Sequence, residues 1–227
     1  MALLAGGRSV SLQAPMALPK AVPHERTAHE HIVQLFDTLE SLGETVGNFV
    51  AEGLAADEVV LVVARPEAWT TVAARLDRDA ADVQGAVSRR QLVVLDAQAT
   101  LSKFNGQSWP DRVRFDAVIG GLVRELVGRG RLRIYGEMVD VLAAEGQFQA
   151  AVALEDLWND LAKTIPFSLF CGYSAVNFGS ERNRKALRLI CRCHSATRVN
   201  DDDDLAVWLL SRRDDEDVVL SPRVQPG

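Results

Sequence analysis

Gly53-Leu-Ala-Ala-Asp-Glu-Val59-Val-Leu-Val-Val-Ala64-Arg65-Pro66 is the stretch that decides the fold class. Residues 59–64 are apolar without interruption and mostly β-branched, so neither face of the segment is marked for water. A strand of that composition is buried on both sides, the condition of a parallel sheet covered by helices. Upstream, Leu42, Val46, Phe49, Val50 and Leu54 recur at helical spacing and predict a helix over 41–54. Downstream, Pro66 suits the first position of a helix reaching Arg75, because its ring fixes φ and its missing N–H has no partner to lose there.

The same alternation extends in both directions. Strands are expected at 31–36, 91–95 (ending at Asp96), 132–135 and 167–173. Helices are expected at 111–128, 139–144, 148–162 and 181–193, with a short segment at 99–104 and a loop at 105–110. Phe148 and Trp158 fall at helical spacing and read as core. Strands alternating with helices give an α/β fold, a mostly parallel central sheet with helices on both faces in a three-layer sandwich. Residues 1–27 read as a flexible leader, 28–198 as the folded body, and 199–227 as an acidic, partly ordered tail with a docking patch at Val207-Trp208-Leu209-Leu210.

Charge divides unevenly along the 227 residues. Eight acids between Asp201 and Asp217, against Arg212 and Arg213, account for the whole formal charge of −6. The body is therefore neutral on balance and lacks the basic excess of a nucleic-acid binder. No apolar run approaches the roughly 20 residues that span a bilayer, and the first 21 residues lack the pattern of a signal peptide. A cytoplasmic protein is expected, with neither membrane nor nucleic acid as partner. Three cysteines, Cys171, Cys191 and Cys193, do not form a disulfide framework.

Ligands of such sheets sit beyond the carboxyl ends of the strands. The first candidate loop, Asp37-Thr-Leu-Glu-Ser-Leu-Gly-Glu-Thr45, has the position and length of a phosphate-binding loop. Its Gly43 is a lone glycine, and Glu44 stands where a lysine should meet phosphate. Two like charges at about 4 Å repel by about 4 kcal/mol at an effective dielectric near 20. The simpler reading is a helix start with Ser41 as N-cap and Glu44 closing a capping box. Magnesium would need an acid after a later central strand, where Leu132-Arg-Ile-Tyr-Gly-Glu137 offers Glu137 without a phosphate-binding lysine. A divergent nucleoside triphosphatase using Glu137 or Glu67 stays open as an alternative, as does a pure protein-interaction module.

His31, Asp37, Ser41, Thr45, Arg65, Asp96, Tyr135, Glu137 and Tyr173 are the candidate ligand-binding residues. Most of them fall at expected carboxyl ends of strands; for each, capping, turn formation or an ion pair is the competing explanation. Cys191-Arg-Cys193-His194 brings soft ligands close in sequence, and His31 or Cys171 could complete a metal site. On a helix, however, neighbouring residues point apart, and the two-pair zinc spacing is missing. The cysteines are read as small core residues and His194 as a surface histidine, with no metal and no cofactor. No histidine-centred nucleophilic triad can be assembled, so an enzyme is not expected.

His31-Ile-Val-Gln-Leu-Phe36, Phe49-Val-Ala-Glu-Gly-Leu-Ala-Ala-Asp-Glu-Val-Val-Leu-Val-Val63, Gln91-Leu-Val-Val-Leu-Asp96, Tyr135-Gly-Glu-Met-Val139, Leu154-Glu-Asp-Leu-Trp-Asn159 and Phe167-Ser-Leu-Phe-Cys-Gly-Tyr173 resemble the MEDS sensory domain of methanogens and methylotrophs. The resemblance covers about residues 28–198, including Cys193-His194, and departs from it at Phe36, where many relatives carry Tyr. The run 49–63 is also similar to the first crossover of circadian-clock-type RecA-like ATPases, which implies a RecA-like fold with a degenerate phosphate loop. The resemblance implies a bacterial or archaeal sensory domain that binds a small hydrophobic or polar signal molecule. It would control a separate signalling protein of histidine-kinase, anti-sigma or transcription-regulator type. Open sheet edges permit an oligomer, but no residue specifies one.

Overall fold

A computed structural model describes residues 30–198, so the expected leader and the acidic tail with its 207–210 patch lie outside the described residues. The chain runs β1 (His31–Phe36), α1 (Leu39–Ala55), β2 (Val59–Ala64), α2 (Pro66–Arg78), α3 (Val83–Ser88), β3 (Leu92–Asp96) and α4 (Ala97–Leu101). A hairpin of β4 (Asn105–Gly106) and β5 (Trp109–Pro110) follows, then α5 (Arg112–Phe115), a π-helical turn (Asp116–Gly120) and α6 (Gly121–Val127). The remainder is β6 (Leu132–Gly136), α7 (Met138–Ala144), α8 (Phe148–Ala162), β7 (Ser168–Ser174), a 3₁₀ turn (Ala175–Phe178), α9 (Glu181–Arg192) and β8 (Ala196–Arg198).

Six strands form one parallel sheet in the order β3-β2-β6-β7-β1-β8. All six residues of β1 and all six of β2 are buried, as the unbroken apolar run 59–64 requires of a strand with helices above and below. Two apolar cores lie on the two faces. Leu42, Val46, Phe49 and Val50 of α1 and Ala68, Val72 and Leu76 of α2 cover Val60, Val62 and Phe170 on one side. Helices α4 to α9 cover Leu61, Val63, Ile134 and Leu169 on the other, with Trp158 and Phe115 edge to face at 5.3 Å. The result is the expected three-layer α/β sandwich.

Several local expectations need correction. Helix α1 starts two residues before Ser41, so only Asp37 and Thr38 separate it from β1, too few for a phosphate-binding loop. Thr38 is the N-cap, its Oγ1 accepting the Ser41 N–H at 3.1 Å, and the Ser41–Glu44 capping box does not form. Glu44 instead reaches α2, accepting from Arg75 Nε at 2.6 Å and pairing with Arg78. Gly43 has a packing role: a Cβ there would lie 2.4 Å from Thr71 Cγ2 and 3.3 Å from the Thr71 backbone, so α1 and α2 meet at a distance that only glycine permits.

The single helix expected over 111–128 carries a π turn, which inserts an extra residue into its middle. The expected loop 105–110 is a hairpin turning through Gln107 and Ser108, both in the left-handed region. Helix α3, started by Asp82 accepting the Gly85 N–H at 2.8 Å, and the edge strand β8 are too short to show periodicity in the sequence.

Substituting Gly43→Leu forces α1 away from α2 and is expected to lower stability by about 1–3 kcal/mol, as overpacking does. Urea denaturation of the purified variant measures the loss; an unchanged midpoint would refute close helix packing as the reason for Gly43.

Candidate functional site

The connections leaving the strands create a cleft at the carboxyl edge of the sheet. After β1 and β2 the chain passes into helices on one face, whereas after their neighbours β7 and β6 it passes to the other. Strand ends that part in this way leave a crevice between them. Here it holds about 380 Å³ and is lined by Phe36, Asp37, Leu39, Leu42, Arg65, Glu67, Glu137, Asp140, Tyr173, Ser174, Val176 and Asn177, among others. That volume lies within the range of small-molecule sites.

Arg65, the residue after β2, dominates its floor. Its backbone N–H donates to Glu137 Oε2 at 2.8 Å, its Nε to the same oxygen at 3.3 Å, and its Nη2 to Asp140. Tyr135 OH donates to Glu137 Oε1 at 2.9 Å, so both oxygens of that carboxylate are occupied. Asp140 Oδ1 accepts from the Ser174 backbone N–H at 2.8 Å and from Asn177 Nδ2 at 2.7 Å. Asn177 is itself held, its carbonyl accepting from Asn183 Nδ2 at 2.8 Å. One guanidinium thus joins the end of β2 to the start of α7, and Asp140 carries the link on to the end of β7 and the 3₁₀ turn.

The electrostatics are acidic. Glu137 and Asp140 are 0% exposed, and Asp37 and Glu67 add carboxylates at the rim, against Arg65 as the one cation among the lining residues. Burial raises the carboxyl of Glu137 above its ordinary range, opposed by the Arg65 N–H and guanidinium and by Tyr135. Burial and the adjoining Glu137 push the Tyr135 phenol well above its usual value. Burial works against the charge of Arg65, but Asp140 and Glu137 outweigh it and raise its pKa. Among the described residues, the one cation lining the cleft is engaged by two carboxylates, which leaves none uncommitted for an incoming phosphate.

The structure gathers some of the sequence candidates and separates others. Asp37, Arg65, Glu137 and Tyr173 line the cleft, with Tyr135 hydrogen-bonded beneath it. Ser41 serves the N-terminal turn of α1 and Thr45 lies along that helix, both outside the lining. Asp96 lies on edge strand β3, where its carboxylate accepts the Ala99 N–H at 2.6 Å as the N-cap of α4. His31 belongs to a separate buried group with Glu155, Cys171 and His194. His194 is not the expected surface residue, because the chain turns back after α9 and leaves its side chain 0% exposed. Asp140, Glu155 and Asn177 escaped the sequence reading. Asp140 in Met138-Val-Asp-Val-Leu142 and Glu155 on the Ala151–Trp158 stripe were legible as acids on apolar helix faces.

Arg65→Met would leave two buried carboxylates without their cation and is expected to cost about 3–5 kcal/mol near neutral pH. A carboxyl whose folded pKa is raised contributes stability that is present below its unfolded value and lost as pH rises through the folded one. The deficit of the variant should therefore shrink as pH falls from about 7 to about 4. Denaturation at both pH values checks this, and a deficit independent of pH would contradict the uncompensated-carboxylate account.

Comparison with known families matches residues 30–195 to the family model of MEDS, the methanogen/methylotroph, DcmR sensory domain. No curated protein matches the chain. No helix among the described residues is long and apolar enough to cross a membrane. With the match spanning every strand of the sheet except β8, together with the cleft at its edge, the chain belongs to the MEDS family of sensory domains.

Proposed function

We propose that this domain is a non-catalytic sensor whose cleft takes a small neutral or cationic molecule with an apolar part. The observation that carries the reading is the composition of the cleft: buried Glu137 and Asp140 share one arginine, while Phe36, Leu42 and the exposed Leu39 and Val176 supply apolar wall. Carboxylates in excess disfavour anions and favour hydrogen-bond donors or cations. The apolar wall favours a short hydrocarbon portion.

The bridge supplies the relay. A ligand that donates to Asp140 competes with Arg65, Ser174 N–H and Asn177, and so shifts the 3₁₀ turn after β7 relative to α7. In this reading the shifted surface is read by a separate cytoplasmic signalling protein of the kinase, anti-sigma or transcription-regulator kind, and neither nucleic acid nor membrane is a partner. The same proposal takes the fold as a RecA-like descendant, in which Asp37-Thr38 is the shortened remnant of a phosphate loop; Glu44, spent on Arg75 and Arg78, supports the loss of that chemistry.

Native mass spectrometry of the gently purified protein should reveal a small uncharged or cationic adduct lost on heating. At a ligand concentration about 100 times its Kd the fold should gain about 2.7 kcal/mol, which a thermal melt reads directly. Ala144→Trp, at the exposed edge of the cleft, should abolish that gain and leave the ligand-free melting temperature unchanged. A stabilising ligand indifferent to Ala144→Trp would move the site elsewhere, and magnesium-dependent hydrolysis of ATP lost in Glu137→Gln would replace the sensor with an enzyme.

A further inference from the structure

Away from the cleft floor, four side chains with metal-binding atoms converge on the face of the sheet covered by α8 and α9. His31 opens β1 and is in register with Leu169 of β7, two residues before Cys171, so His31 and Cys171 project to the same face of adjacent strands. Glu155 descends onto them from α8, and His194 turns inward just past α9. One ligand atom from each of the four lies within 4.8 Å of every other. His31 Nε2 is 3.2 Å from Glu155 Oε2 and 3.3 Å from Cys171 Sγ, and Cys171 Sγ is 3.4 Å from Glu155 Oε2. His194 Nε2 is 3.4 Å from Glu155 Oε1. A tetrahedral zinc ion with nitrogen and oxygen ligands at about 2.0–2.1 Å and sulfur at about 2.3 Å sets its donors about 3.3–3.6 Å apart.

The surroundings fix the histidines in the form a metal requires. His31 Nδ1 lies 2.9 Å from Asn159 Oδ1, and the amide orientation is set by Asn159 Nδ2 donating to the Cys193 carbonyl at 2.9 Å. His194 Nδ1 lies 2.7 Å from the carbonyl of Ile190, which can only accept. Both rings therefore carry their proton on Nδ1, and in the neutral state both turn an Nε2 lone pair towards a carboxylate and a thiol. Held on its outer nitrogen, each imidazole has the second-shell support found at protein metal sites. His194 Nε2 is buried without a hydrogen-bond partner of good geometry. Glu155 Oε1, the oxygen that faces His194, also accepts from Tyr173 OH at 2.8 Å, which fixes the carboxylate. Two lone pairs, a carboxylate and a sulfur facing one another call for a cation between them.

We propose that His31, Glu155, Cys171 and His194 form a four-coordinate site for a divalent transition metal of the zinc class. The two nitrogens, one thiolate and one carboxylate suit that class better than magnesium or calcium, which take oxygen ligands. Binding expels the Cys171 thiol proton to solvent and makes the sulfur an anionic ligand. Four protein ligands leave no open position, so the metal ties β1, β7, α8 and the segment after α9 together and does not activate water. The site stands independently of the ligand assigned to the cleft. Cys191 and Cys193 take no part: Cys193 Sγ donates to the Leu189 carbonyl at 3.4 Å.

The test uses the full chain, stripped with a chelator and dialysed against Zn²⁺ or Co²⁺. One equivalent of zinc per chain should be retained, and the cobalt form should show thiolate-to-cobalt charge transfer with the visible bands of a tetrahedral ion. Cys171→Ser should remove the charge-transfer band, His194→Gln should lower zinc retention by at least tenfold, and Cys191→Ser with Cys193→Ser should change neither. If a substituted chain fails to fold, the spectrum of the native cobalt protein still decides, since the charge-transfer band requires a sulfur ligand. Failure to retain stoichiometric metal, a cobalt spectrum without sulfur, or loss of the band on removing Cys191 or Cys193 would each overturn the assignment. Ligand binding in the cleft with no metal retained would sink this proposal alone.

Discussion

The bridge from Arg65 to Glu137 and Asp140 is the constraint on which the carboxyl edge of the sheet depends. Parallel strands bond to one another along their length, but nothing in that ladder fixes where the chain goes after each strand ends. Here the guanidinium after β2 seizes the two acids that begin the helix after β6, and one of those acids holds the backbone after β7. Three of the four connections around the cleft are thereby set relative to one another by a single cation. Burying charge is costly, and such a group persists where nearly every lone pair is met. Tyr135, the Arg65 and Ser174 backbone N–H groups and Asn177 supply those partners.

A polar bridge at a strand edge differs from the core in what it can do. The apolar layers on each face are close packed and hold one arrangement. In the proposed reading, hydrogen bonds to Asp140 are exchanged for bonds from a ligand at little net free energy, because one donor to the carboxylate replaces another in kind. On the proposed reading, that contrast places the switch beyond the strand ends, above a close-packed sheet.

Tyr173 joins this edge to the buried group on one face of the sheet. It lines the cleft, yet its hydroxyl donates to Glu155, the carboxylate shared by His31 and His194. The cleft and the histidine-cysteine group are thus neighbours through one side chain.

How much of this was legible beforehand follows from the range of the forces involved. The continuous apolar run 59–64, the helical spacing of Leu42 to Leu54 and the Pro66 turn are local patterns, and they determined the parallel sheet, its two-sided cover and most element boundaries. Local reasoning misplaced the start of α1, because Thr38 and Ser41 are both competent caps by residue type and the chain uses Thr38. It could place Arg65 and Glu137 at strand ends but not join them, since 72 residues separate the partners and the strand order brings them together. His31 and His194 are farther apart still, and pairing of β1 with β7 and β8 at the edge of the sheet closes that distance. The sequence by itself determined the class of fold and the residue types available. The tertiary structure alone decided which charges share a site, because electrostatic contacts act through space and strand order is not written in local periodicity.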